Sequence, residues 1–69
     1  MVAERGLGVN LKDVRTKAGL TQAELADVVG VSRKTINTVE NGVFIPSTFL
    51  ALKLAEALKV SVEDLFYLD

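Results

Sequence analysis

Four polar side chains share one face of the segment SRKTINTVE, residues 32–40, with no hydrophobic side chain among them. They are Arg33, Lys34, Asn37 and Thr38, grouped at about 100° per residue of a helix. Such groups read base edges in DNA: arginine or lysine binds guanine, asparagine binds adenine, and threonine contacts several bases or a thymine methyl. The face therefore predicts base contacts in double-stranded DNA. The alternative is an ordinary solvated helix surface.

The start of this segment carries two cations where a helix disfavours them. Arg33 and Lys34 follow Ser32, a typical N-cap residue, and so occupy the first helical positions. The helix dipole puts about half a positive charge there, and acidic side chains gain about 0.3–1 kcal/mol at that end. Both cations are explained if this end of the helix enters the major groove first, where DNA supplies negative charge.

Residues that begin and end helices divide the chain into five short helices. The candidate N-caps are Asn10, Thr21, Ser32, Ser47 and Ser61, and the candidate stops are Gly19, Gly30 and the Asn41-Gly42 pair. The predicted helices cover residues 11–18, 22–29, 33–40, 48–59 and 62–66. The pattern predicts an all-α fold, a compact five-helix bundle with an aliphatic core. Residues 1–9, with two glycines, are predicted to form a loose arm.

Residues 22–41 have the spacing of a helix-turn-helix unit, two short helices joined by a tight turn that contains glycine. Ala26 is small where the two helices would cross, and Gly30 can adopt the positive φ that the turn requires. Ile36 and Val39 fall on the inner side of the second helix, opposite the polar face.

Over residues 10–66 the chain resembles the Cro and phage-repressor type of helix-turn-helix, the XRE family. The resemblance lies in LKDVRTKAGLTQAELADVVGVSRKTINTVENG and, after a proline and Ser47, in LALKLAEALKVSVEDLF. It implies a lambda-repressor-like DNA-binding domain over residues 10–66, with the helix-turn-helix unit at 22–41 and a tail at 67–69. It also implies roles for individual residues. The base-contacting positions are Arg33, Lys34 and Thr38 with Asn37 beside them, and the phosphate-contacting positions are Thr21, Gln22, Thr35 and Asn41. Gln22 would also brace the third helix.

The resemblance also implies an ion pair between Arg15 and Glu40, which would tie the first helix to the end of the third. A partly buried carboxylate at position 40 would need such a partner, and arginine can bind it through two hydrogen bonds. The alternative is two unrelated surface charges.

The tail of the chain predicts self-association. LFYL at residues 65–68 is apolar and has the aromatic content of a short strand. The resemblance extends to small stand-alone members of the family that pair through such a tail, so Phe66, Tyr67 and Leu68 are predicted to form a homodimer interface. A two-fold dimer would bind an inverted repeat with half-sites about 34 Å apart. The alternative is that Leu65 and Phe66 close the core of a single chain.

The loop after the third helix departs from the family pattern. Val43, Phe44 and Ile45 stand where a cation and a polar residue are usual, which removes a side-chain phosphate contact and leaves only backbone N–H groups as donors. Phe49 also replaces a polar residue and is predicted either to be exposed or to pack on the loop. The net charge of −1 agrees with modest non-specific affinity, although residues 1–34 hold six cations against four anions.

Composition excludes several classes of function. The 69 residues contain no histidine and no cysteine, so neither a metal site, nor a disulfide, nor nucleophilic catalysis is predicted. The adjacent carboxylates Glu63 and Asp64 fall in the first turn of a helix, where acids are common. No cofactor or small-molecule ligand is implied. No apolar run approaches the roughly 20 residues of a membrane span, so a cytoplasmic, nucleoid-associated protein is expected.

These observations predict a sequence-specific, homodimeric transcriptional regulator that is not an enzyme. A repressor is favoured because no segment has the pattern expected of a domain that recruits polymerase or binds a signalling ligand. Two alternatives stay open. The apolar loop and the acidic second half of the chain would also suit a protein-binding module on the same scaffold, and an antitoxin that represses its own operon would share the DNA-binding surface.

Overall fold

The computed structural model describes residues 5–69, which fold into five helices and a small sheet. The helices are α1 (Leu11–Lys17), α2 (Gln22–Val29), α3 (Arg33–Glu40), α4 (Thr48–Leu58) and α5 (Val62–Leu65), and the strands are β1 (Leu7–Val9) and β2 (Phe66–Leu68). The predicted five-helix fold is confirmed. The predicted helices are matched to within one residue at each end.

Short side chains at the N-caps explain where four of the helices begin. The hydroxyl groups of Thr21, Ser32, Ser47 and Ser61 each accept a hydrogen bond from the backbone N–H three residues later. These bonds satisfy donors that the helix itself leaves unpaired. Asn10 differs, because it occupies the N-cap position of α1 without a side-chain hydrogen bond to the helix. Its backbone N–H instead donates to the carbonyl oxygen of Leu65 at 2.8 Å, which ties the start of α1 to the end of α5.

Aliphatic side chains fill the core, as the composition predicts. Leu11, Leu25, Ile36, Leu54 and Leu65 come from five different helices and are all fully buried. The central helix α4 supplies Leu54 and packs against both α2 and α5. Across residues 5–69, none of the helices has the length and apolar character needed to cross a membrane.

Strand β1 corrects the prediction of a loose arm over residues 1–9. Residues 7–9 pair antiparallel with β2 in the register Leu7 to Leu68, Gly8 to Tyr67 and Val9 to Phe66. Residues 1–4 of the predicted arm lie outside the described residues. The sheet forms because Val9 and Phe66 pack on the core, which brings the two segments side by side.

Gly8 has a specific place in this sheet. The aromatic ring of Tyr67 lies over Gly8 so closely that a Cβ at position 8 would overlap the ring. Glycine therefore allows a large aromatic side chain to cross the neighbouring strand, and the ring in turn covers backbone that glycine leaves bare.

Candidate nucleic-acid interface

The candidate interface is the outward side of α3, which we call the recognition face. Ile36 and Val39 are fully buried on the opposite side and hold the helix against the core. The hydroxyl of Ser32 caps the helix by accepting from the backbone N–H of Thr35 at 3.1 Å. The recognition face consists of the exposed Arg33, Lys34 and Asn37 with the half-buried Thr38. The structure thus brings together the four residues predicted to contact bases.

The two cations of the recognition face are held differently. The Nη1 of Arg33 donates to the Oε1 of Gln22 at 3.3 Å, which ties this side chain to α2. Within residues 5–69, the Lys34 ammonium has no ion-pair or hydrogen-bond partner. Gln22 therefore holds the Arg33 side chain in place before any ligand binds, whereas the Lys34 side chain can adjust its conformation to a ligand.

Thr38 uses its hydroxyl hydrogen within the helix. Its Oγ1 lies 3.0 Å from the carbonyl oxygens of both Lys34 and Thr35 and donates to them. The groups that Thr38 offers to a ligand are therefore its methyl group and the oxygen lone pairs. A methyl contact fits a thymine methyl better than it fits any other major-groove group.

Beneath the recognition face, Arg15 and Glu40 form a buried ion pair between α1 and α3. The Nε and Nη2 of Arg15 donate to the two carboxylate oxygens of Glu40, at 2.6 and 3.2 Å. Only 9% of the Arg15 side chain and 2% of the Glu40 side chain are exposed. The remaining Nη1 of Arg15 donates to the carbonyl oxygen of Leu20 at 2.8 Å. The pair is bidentate and desolvated, the geometry in which an arginine–carboxylate contact is strongest.

Gln22 joins this ion pair to the recognition face. Its Nε2 donates to the Oε1 of Glu40 at 3.0 Å and to the Oδ1 of Asn37 at 3.2 Å, while its Oε1 accepts from Arg33. Both amide hydrogens are therefore used inside the protein. A phosphate contact at this position has the backbone N–H of Gln22 as its available donor, since that N–H lies in the first turn of α2.

The other residues predicted to contact phosphate lie around the edge of the same surface. The Oγ1 of Thr35 is 3.0 Å from the Oγ of Ser32. The Nδ2 of Asn41 is 3.4 Å from the Oδ1 of Asn37, just beyond the end of α3. Thr21 caps α2, and its hydroxyl accepts from the backbone N–H of Glu24 at 3.0 Å, which leaves its hydroxyl hydrogen available to an acceptor.

A carboxylate also stands at this edge. The backbone N–H of Thr21, and then its side chain, hold the pKa of the exposed Glu24 carboxyl below its ordinary value of 4.5. Because the folded pKa is lowered, the stabilisation from this capping box is complete above the ordinary pKa. It is lost as the pH falls through the lowered pKa.

The loop after α3 folds back on the end of α3 through backbone hydrogen bonds. The backbone N–H groups of Val43 and Phe44 both donate to the carbonyl oxygen of Thr38, at 3.0 and 3.2 Å. These two N–H groups are therefore already hydrogen-bonded, although the sequence analysis suggested that backbone N–H groups of this loop could donate to phosphate in place of a side chain. Phe49 is 70% exposed, and the ammonium of Lys53 lies 5.2 Å from the centre of its ring. Of the two predicted environments for Phe49, the structure has the exposed one.

The three tail residues predicted to form a dimer interface have different environments. Phe66 is buried in the core of its own chain, with only 8% of its surface exposed. Tyr67 and Leu68 are 47% and 62% exposed. Phe66 thus closes the core of its own chain, and a dimer interface stays a prediction for Tyr67 and Leu68.

Gln22 braces α3, as the resemblance implies, but the sequence did not reveal that Arg33 and Asn37 are among its partners. These contacts join residues 11 and 15 positions apart, and they form only because α2 and α3 cross. The sequence does contain one indication of these contacts, because the long amide side chain of Gln22, at the first position of α2, can reach the neighbouring helix.

A helix-turn-helix unit whose second helix presents cations, an amide and a hydroxyl defines a DNA-binding transcriptional regulator. The model of the family described as helix-turn-helix matches residues 11–65, and the chain belongs to this XRE-type family.

Similar proteins include regulators from bacteria and archaea. An uncharacterized HTH-type transcriptional regulator of Bacillus subtilis, YgzD, is 39% identical over 59 residues, which cover 86% of this chain and 89% of the relative. One from Methanothermobacter thermautotrophicus is 47% identical over 60 residues, with 86% and 87% covered. The crystal structure of the restriction-modification controller protein C.AhdI from Aeromonas hydrophila aligns with a TM-score of 0.76 at 36% identity, covering 80% of this chain and 83% of that one. The first two of these proteins are named as transcriptional regulators, and the third is named as a controller protein.

Proposed function

We propose that this protein is a homodimeric repressor that binds an inverted-repeat operator, with α3 of each subunit in the major groove. The observation that carries the proposal is the recognition face, where Arg33, Lys34 and Asn37 are exposed on a helix whose other side is fixed in the core. Donors held on a rigid helix lose little freedom on binding, which favours base-specific contacts over a diffuse attraction to phosphate.

Selection from a random duplex library tests this function. At about 0.15 M salt, the wild-type protein is expected to enrich an inverted repeat with half-site centres about 10 base pairs apart. A promoter that contains the enriched sequence is then expected to be less active when the protein is present. Activation of that promoter would contradict the repressor assignment, and the absence of any enriched sequence would favour the protein-binding alternative.

Replacing Arg33 with alanine is expected to relax the sequence preference at one base pair per half-site. The loss is about 1–3 kcal/mol of discrimination, because a guanidinium bound to guanine is removed. The same selection measures the change. Lys17→Ala is the matched control, since Lys17 is a cation of α1 with 78% of its side chain exposed and is not one of the residues of the recognition face. Equal losses on every sequence for both variants would contradict a base-reading role for Arg33.

The dimer is proposed to form through the edge of the sheet. The two-stranded sheet leaves β2 with β1 as its only strand partner within residues 5–69, and an unpaired strand edge can pair with the same edge of a second copy. Tyr67 and Leu68 are exposed there, beside Leu7, to which Leu68 is paired. A groove of about 500 Å³ next to Leu7 is lined mainly by apolar side chains such as Ile45 and Leu52. This groove enlarges the apolar surface that a second copy could cover.

Leu68→Glu is expected to convert a dimer to a monomer, because it places two carboxylates at the shared edge. Sedimentation equilibrium should give twice the 7.4 kDa chain mass for the wild type and the single mass for the variant. Val28→Glu is the matched control, as Val28 is 64% exposed on α2 and belongs neither to the sheet nor to the lining of the groove. A wild-type protein that stays monomeric on its operator, or a Leu68→Glu variant that stays dimeric, would rule out this interface.

A further inference from the structure

The side-chain amide of Asn37 lies at the end of a hydrogen-bond chain that begins at the buried ion pair. Arg15 has only donors to offer, and the Glu40 carboxylate has only acceptors. Their bidentate contact, with the Glu40 side chain 2% exposed, fixes the orientation of the carboxylate. Any group that approaches Glu40 from α2 must therefore donate a hydrogen bond.

Gln22 meets this requirement in only one orientation. Its Nε2 must face Glu40, and does so at 3.0 Å, because the opposite orientation would set two oxygen acceptors against each other. Its Oε1 then faces away from Glu40 and accepts from Arg33, which is itself only a donor. Both neighbours thus select the same orientation of the Gln22 amide. The second hydrogen on Nε2 points towards Asn37.

Asn37 must consequently turn its oxygen inwards. Its Oδ1 accepts from Nε2 of Gln22 at 3.2 Å and from Nδ2 of Asn41 at 3.4 Å. An amide oxygen has two lone pairs, and both are occupied by these donors. The Nδ2 group is the part of the Asn37 amide left for a ligand, on a side chain that is exposed. Asn37 therefore presents hydrogen-bond donors and no acceptor.

We infer that Asn37 selects guanine at its position in the operator, and not the adenine that asparagine usually reads. An asparagine that binds adenine uses both amide atoms, accepting from N6 and donating to N7. With its oxygen occupied, Asn37 can only donate, and the N6 amino group of adenine would then oppose another donor. Guanine presents two adjacent acceptors, O6 and N7, in the major groove. This inference rests on the proposed function, since it concerns which base the same face reads.

The test compares the sequences enriched by the wild-type protein with those enriched by Asn37→Ala and Asn37→Asp. Alanine is expected to relax one base pair per half-site, and that pair should be G·C in the wild-type sequences. Aspartate keeps acceptors for Gln22 and Asn41 but turns an acceptor outwards, so guanine should disappear from that position. Asn10→Asp is the matched control, because Asn10 is exposed and makes no side-chain cap bond, and it should leave the base pattern unchanged.

A modified base separates a direct contact from an indirect one. Replacing the guanine with 7-deazaguanine removes the N7 acceptor and keeps base pairing. The wild-type protein is expected to bind this duplex roughly tenfold more weakly, whereas Asn37→Ala should bind both duplexes equally. Equal weakening of the two proteins would show that another residue contacts this N7, and would overturn the inference.

The outcomes distinguish the inference from the function on which it rests. An enriched inverted repeat whose Asn37-dependent pair is A·T, or in which Asn37→Ala relaxes no position, would overturn the guanine assignment and leave the proposed function standing. The absence of an enriched sequence for the wild-type protein would overturn both.

Discussion

Glu40→Ala is expected to lower the free energy of unfolding by about 3–5 kcal/mol, because it leaves the Arg15 guanidinium buried without its partner. Only 9% of the Arg15 side chain is exposed, so the guanidinium is poorly solvated once the carboxylate is removed. Glu40 also accepts from Gln22, and its removal leaves one of the two amide hydrogens of Gln22 without its acceptor. A chain of 69 residues has a total stability of about 0.05–0.15 kcal/mol per residue, so the loss is a large share of the whole.

Urea denaturation followed by circular dichroism measures this effect. The ion pair between Lys17 and Asp13 provides the control, because its side chains are 78% and 73% exposed and Lys17→Ala should cost less than about 0.5 kcal/mol. A double variant, Arg15→Met with Glu40→Leu, should recover much of the stability, since neither charge is then left buried alone. A Glu40→Ala variant as stable as Lys17→Ala, or a double variant no better than the single one, would contradict this account.

Leu54→Ala is expected to cost about 2–5 kcal/mol, because the removed atoms leave a cavity at the centre of the core. Leu54 is fully buried on α4, the helix that packs against both α2 and α5. Leu52→Ala, two residues earlier on the same helix, removes the same atoms from a side chain that is 56% exposed.

The two alanine variants of α4 form a matched pair in one denaturation experiment. The Leu52 variant should unfold within about 1 kcal/mol of the wild type, because most of its side chain is already in water. Similar losses for the two variants would mean that the groove beside Leu52 is covered in solution, which sedimentation at the same concentration would reveal as a larger mass.

Local signals explain why the helices could be predicted. Thr21, Ser32, Ser47 and Ser61 stand next to the N–H groups that they cap, and Gly30 adopts the left-handed φ of +78° that ends α2. Each of these contacts spans four residues or fewer. The resemblance to a known family added the order of the helices in space, which local signals alone do not contain.

The features that the sequence did not reveal depend on residues distant in the chain. Strand β1 has three residues and includes Gly8, so nothing in its own composition marks it as a strand. It forms because β2, nearly 60 positions away, supplies the hydrogen bonds and the Tyr67 ring. The orientation of the Asn37 amide likewise depends on Gln22 and Glu40 through contacts that exist only once α2 and α3 have packed.

The hydrogen bonds from Arg15 through Glu40 and Gln22 to Asn37 limit how binding preference can be moved between proteins. Grafting residues 33–40 onto a related scaffold would transfer the recognition side chains without the groups that orient them. A recipient scaffold that lacks glutamine at the start of its second helix would let the asparagine amide rotate. Redesign of specificity in this chain must therefore treat positions 15, 22, 37 and 40 as one exchangeable unit.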